Sequence, residues 1–161
     1  MREFAGRAPA LRRLDRGARL VYAAFLAFML AGLVSATLLH LDGMGTSASG
    51  AAAWWRGDEA EMAYPKSYRQ ILEITHFHLF TEPIVWLVVA HLYHLSGGRA
   101  LVSLGTLAAI GAQIALPWGI AYGPAALSAL ALPISLAVVA GLCWMIVDSL
   151  RELWASSSPS S

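Results

Sequence analysis

The chain has 161 residues, 58% hydrophobic and only 13% charged, with a mean hydropathy of +0.60. Soluble domains carry about 25% charged residues, so this composition excludes a water-covered globule and points to the membrane class. The net charge of +1 and the absence of a basic patch leave nucleic acid without a docking surface, and a single cysteine, Cys143, excludes a disulfide framework.

In chain order, six arginines come first: Arg2, Arg7, Arg12, Arg13, Arg16 and Arg19. An apolar run over 20–41 follows, ending at His40 and Leu41. About 20 helical residues cross a bilayer, and the run exceeds the roughly 7–15 residues of a signal-peptide core. It is therefore read as a retained span rather than a cleaved leader.

The connection 42–70 is the one sizeable element outside the membrane. "DGMGTSASGAAA" reads as irregular, and "WWRGDEAEMAYPKSYRQ" mixes aromatics with both signs of charge. Trp54 and Trp55 suit the headgroup region. A short interfacial helix is expected over 57–63, ended near Pro65.

Three further runs follow, at 71–95, 101–122 and 125–147. Gly123-Pro124 makes the last two a helical hairpin. Basic residues gather before the first span, with Arg99 and Arg151 on the same side, and Lys/Arg-rich ends stay inside. The expectation is one membrane domain over 1–161, an all-α integral four-helix bundle with both termini cytoplasmic, multi-pass in a bacterial inner membrane. Gly32/Ala36, Gly111/Ala115 and Ala137/Gly141 are small-xxx-small pairs that suit close helix packing. Gln113 reads as an interhelical hydrogen-bond donor. The "SSSPSS" tail is low-complexity.

The second span concentrates the chemistry. "HFHLFTEPIVWLVVAHLYH" holds four of the chain's five histidines, together with Glu82. At 3.6 residues per turn, Glu73, His76, His91 and His94 share one face. His78 and Glu82 fall on roughly the opposite face, beside Trp86 and Tyr93. Two polar stripes predict a central helix with protein or water on both sides. A rise of about 1.5 Å per residue separates His76 from His91 by roughly 22 Å. An outer group (His40, His76, His78, with Glu73) thus lies far from an inner one (His91, His94). Glu82 sits between them as a buried polar or proton-handling group, because ionisable side chains inside a bilayer face protein or a water-filled cavity.

Histidines at two depths suit transmembrane electron transfer. Imidazole ligates haem iron, so His40 with His76 or His78 would hold an outer haem b, and His91 or His94 an inner one. Within one chain no second helix supplies an inner histidine, so the inner station needs a homodimer, another subunit or an open position. The same groups suit a transition-metal ion, with Glu73/His76 and His91/His94 as two-ligand fragments. Quinone contact through the outer histidines is a further reading. A subunit without cofactor, docking to other membrane subunits, is the structural alternative. No nucleophilic triad or phosphate loop appears, which favours a non-catalytic electron-transfer or accessory role over a stand-alone enzyme.

The segment 54–94 resembles a group of little-characterised bacterial four-helix membrane proteins. These carry a "YRG(D/E)E" and "PKS" loop followed by "THFHLF" and a later histidine. The resemblance marks Arg56, Gly57, Glu59, Pro65, Lys66, Ser67, Glu73, Thr75, His76, His78 and His91. Trp55 stands where the group has tyrosine. It implies an association with multihaem c-type cytochromes in electron transport.

Overall fold

The structure, a computed structural model, describes residues 10–155. Arg2, Arg7 and the "SSSPSS" tail lie outside the described residues. Among the described residues the chain is all-α. A 3₁₀ turn, Ala10–Arg13, leads into α1 (Arg16–Met44), followed by α2 (Ala48–Arg56), α3 (Tyr68–Leu95) and α4 (Ala100–Tyr122). A second 3₁₀ turn, Ala125–Leu130, then leads into α5 (Ala131–Trp154). Four segments are long and apolar enough to cross a membrane: α1, α3, α4 and the unit Ala125–Trp154. The protein is a multi-pass membrane helix bundle.

Local chemistry sets the helix ends. The Asp15 carboxylate accepts the Ala18 amide at 2.9 Å and starts α1. Ser67 and Gln70 close a capping box at the start of α3, each accepting the other's backbone amide. Gly57 ends α2 at φ 81°, where an added Cβ would meet the Ala63 carbonyl and Pro65 at 2.5–2.9 Å, so only glycine fits.

Two apolar clusters hold the bundle. The larger joins α1, α3, α4 and α5 through Leu26, Val89, Leu92, Ile110, Leu142, Met145 and Ile146. It also contains Leu11 and Leu153, so the two described ends of the chain share one end of the bundle. The smaller lies at the other end, where Ala51 and Trp55 of α2 pack with Ile71, Ile120 and Ala131. Along α3 the small cluster stops at Ile74 and the large one begins at Val85. The level between them carries His78 and Glu82.

Several expectations change. The connection after the first span holds its helix at Ala48–Arg56, not over 57–63, which instead forms a turn closed by an Asp58–Ala63 bridge. Ser47 caps that helix on the Gly50 amide at 2.9 Å, and buried Ala51 and Trp55 fix it to the bundle. Packing thus overrides a Gly/Ser-rich composition. The fourth span begins as a 3₁₀ turn and its helix runs on to Trp154.

Nor is α3 buried on both sides. Phe77, Phe80, Ile84 and Leu87 are exposed along it, and so are Glu73, His76, His91 and His94. The inward face is the one bearing His78, Glu82, Trp86 and Tyr93. Of the glycines in the small-residue pairs, Gly141 alone makes a close interhelical approach, its Cα facing the Thr106 side chain of α4. Cβ atoms at Gly32 and Gly111 would meet nothing within 4 Å.

Candidate functional site

α1 packs on α5 and α2 and makes at most marginal contact with α3 and α4, whereas α3, α4 and α5 pack mutually. A crevice therefore remains between α1 and the other three spans. It has two chambers that share Ala36, His40, Glu82, Gln113 and Ser135 at their junction. The loop-side chamber, about 430 Å³, lies under Trp54 and Trp55 of α2. The second, about 580 Å³, runs deeper between Met29, Leu33, Val85, Ile110 and Leu142. Leu39 on α1 and Phe77 on α3 both line the first chamber while 71% and 63% exposed, so the crevice reaches the outer surface of the bundle between those helices.

The polar residues of the crevice are organised around Glu82. His78, one turn earlier, places Nδ1 2.7 Å from Glu82 Oε1. Gln113 of α4 donates from Nε2 to the same oxygen at 3.1 Å. Two donors on one oxygen give the neutral imidazole its proton at Nδ1 and leave Nε2 as an acceptor. The Glu82 side chain is only 19% exposed and that of His78 38%. Glu82 Oε2 and Gln113 Oε1 are buried with no hydrogen-bond partner among the described residues. Orphaned acceptors of this kind are rare in folded proteins. His40 lines both chambers from α1. Thr75 in the loop-side chamber is held by Trp118, whose Nε1 donates to its hydroxyl at 2.7 Å.

The other expected site residues lie elsewhere. His76 lines neither chamber; its exposed ring sits 4.9 Å from that of Phe80. Glu73 pairs with Arg69 at 2.8 Å on the surface. His91 is exposed on the outward face. His94 Nε2 lies 3.0 Å from Ser103 Oγ, whose own proton goes to the Ala100 carbonyl, so His94 is the donor. Among the described residues no three His, Cys, Asp or Glu side chains converge as a metal site.

The outer histidine group thus separates into a cavity pair, His40 and His78, and a surface residue, His76. Gln113 is the site residue that sequence reasoning took for an interhelical hydrogen-bond donor alone, a role it does fill. It is both an interhelical donor and a wall of the crevice. Its signal was its polarity in an otherwise apolar span.

No curated protein and no solved structure matches the chain. Residues 45–160 match a family described as a transmembrane helical domain, Aq_1264_TM. The match takes in α2 to α5, with His78, Glu82 and Gln113, and leaves His40 outside. Spanning well over half of the sequence, it makes this chain a member of the Aq_1264_TM transmembrane helical domain family.

Proposed function

We propose that the protein is a membrane subunit of an electron-transfer system and that its crevice receives the head of a quinone-type lipid from the bilayer. The observation that carries this reading is the crevice itself. It opens between the apolar spans α1 and α3, its walls are largely apolar, and its polar groups include the linked set His78, Glu82 and Gln113. Pockets that combine apolar walls with a few placed polar groups bind small molecules. A ligand arriving through the side of the bundle comes from the lipid phase. A quinone-type ring has oxygens that hydrogen-bond to side chains such as imidazole and amide, and a tail that suits the apolar side chains of the deeper chamber, among them Met29, Leu33, Val85, Ile110 and Leu142. The association with c-type cytochromes, implied by the "PKS" and "THFHLF" resemblance, supplies the redox context. In this reading the arginines near the first span keep the termini in the cytoplasm, and the loop-side chamber lies toward the outer face of a bacterial inner membrane.

A second reading keeps the same pair of histidines for haem b. His40 and His78 line one chamber, and His78 is oriented by Glu82 through Nδ1 with Nε2 left for a metal, the usual arrangement of a ligating imidazole. In this reading the two imidazoles would be the axial pair. Bound haem would supply one-electron transfer.

The test is direct. Protein purified in mild detergent with its native lipids is extracted and its quinone content measured against protein. Near-stoichiometric quinone supports the proposal. Absence of quinone, with no uptake of an added short-tailed quinone or quinol, overturns it. A dithionite-reduced spectrum with an α band would move the assignment to haem. A non-redox docking subunit is the reading left if both signals are missing.

A further inference from the structure

The outward face of α3 carries a pattern that contact with lipid does not require. Phe77, Phe80, Ile84, Leu87, His91 and His94 follow one another at steps of three, four, three, four and three residues, and Glu73 precedes Phe77 by four. All of them are exposed. The four apolar members are 63%, 62%, 59% and 59% exposed, so the bundle's own helices leave this face uncovered. Alternating steps of three and four are the heptad spacing, which keeps one seam of side chains toward a second helix along its whole length. The seam passes Pro83 without a break, since Phe80 and Ile84 are exposed on either side of it. Ionisable groups in membrane spans turn to protein or water rather than lipid. The His91 ring nevertheless points outward and has no hydrogen-bond partner among the described residues.

We infer that this seam is a dimer interface and that its occupant is α3 of a second copy of the chain. Two copies in one membrane share an orientation. A two-fold axis along the membrane normal therefore sets their α3 helices parallel and brings equal depths together. Each layer of the seam then meets itself, at the shallow crossing of about 20° that heptad packing gives. Phe80, Ile84 and Leu87 pack on their counterparts in the apolar middle, and His91 meets the partner's His91. Two imidazoles share an N–H···N bond when both are neutral, in either tautomer, and also when one carries an extra proton. A different subunit would have to bring both the same spacing and a polar group at the depth of His91. A second copy has both by symmetry. At the other end Glu73 is already paired with Arg69 at 2.8 Å, so two copies approach there without a bare like charge. Phe77 also lines the loop-side chamber, which sets the partner helix beside the mouth of the crevice. The dimer is independent of which molecule enters that crevice.

The test is cysteine cross-linking of the full-length protein in its native membranes, in a Cys143→Ser background, with copper phenanthroline and oxygen as the oxidant. Two thiols give one disulfide, and their two electrons and two protons pass to oxygen. Phe80→Cys, Ile84→Cys and Leu87→Cys are the seam positions. Leu72→Cys and Leu79→Cys are exposed on the same helix but off the seam. None of the five side chains belongs to either apolar cluster, so the bundle keeps its core in every variant. The seam positions should give about fivefold more product of twice the chain mass than the other two, because a disulfide forms only between thiols brought close together. When two differently tagged copies are expressed together, part of that product should carry both tags. A product of another mass gives the seam to a different subunit and overturns the proposal. Equal yields on and off the seam, a product that never carries both tags, or no product at any seam position overturn it as well.

Discussion

Glu82 on α3 and Gln113 on α4 meet at 3.1 Å, a polar link that joins two membrane spans at the junction of the two chambers. Interhelical hydrogen bonds in bilayers contribute about 0.6 kcal/mol on average and up to about 1.7 kcal/mol. Glu82 also holds His78, so its removal strands two partners. Glu82→Ala should therefore lower stability by about 1–3 kcal/mol, and more than Gln113→Ala does. A double-mutant cycle on these two positions, read from unfolding in detergent, should give a coupling of about 1 kcal/mol. Additive effects would show that the two side chains do not interact.

How much of this was legible beforehand depends on the type of contact. The spans follow from hydropathy, because a bilayer leaves a helix no other way to satisfy its backbone. The His78–Glu82 pair follows from the i, i+4 spacing on one helix. The partnership of Glu82 with Gln113 does not, because it depends on how α3 and α4 are set against each other. The expected central position of α3 fails for a similar reason. Angular arithmetic sorts residues into two faces, but α1 leans on α5 and α2, and one face of α3 is left outward. At Ala48–Arg56, glycine and serine masked a helix that owes its place to the burial of Trp55.

Arg56 should matter more than a surface arginine. Its guanidinium donates to the carbonyls of Ile120 and Gly123, which closes the C-terminal end of α4 and pins α2 over the hairpin. Carbonyls at a helix end otherwise lack partners. Arg56→Ala should cost about 1.5–3 kcal/mol and raise amide exchange around Gly123 specifically. Arg56→Lys should recover only part, since a single ammonium lacks the planar fork that spans both carbonyls. Equal exchange in all three proteins would argue against the cap.

The helix contact at Gly141 separates close packing from mere small-residue content. A Cβ there would run into Thr106, so Gly141→Ala should destabilise by about 1–3 kcal/mol through overpacking. Thr106→Ala in the same chain should recover most of the loss. Gly32→Ala meets nothing within 4 Å and should be neutral, or more stable by about 0.5–1 kcal/mol from the gain in helix preference. Melting curves of the three variants and the unsubstituted protein decide the order. A loss at Gly32 as large as that at Gly141 would contradict the open wall of the deeper chamber.

The last prediction concerns the side of the membrane to which the crevice belongs. Met62, 86% exposed at the tip of the turn after α2, sits at the end of the bundle that carries the loop-side chamber. Arg13, also exposed, lies at the opposite end with the Ala10–Arg13 turn. In the orientation proposed above, drawn from the arginines near α1 and the positive-inside rule, Arg13 faces the cytoplasm. In a Cys143→Ser background, Met62→Cys should react with a membrane-impermeant maleimide added to intact spheroplasts. Arg13→Cys should react only after the cells are opened. Removing Cys143, the one cysteine of the sequence, leaves a single thiol in each variant. The reverse labelling pattern would turn the bundle over, bring the Trp54/Trp55 end to the cytoplasm, and separate the crevice from any extracytoplasmic cytochrome.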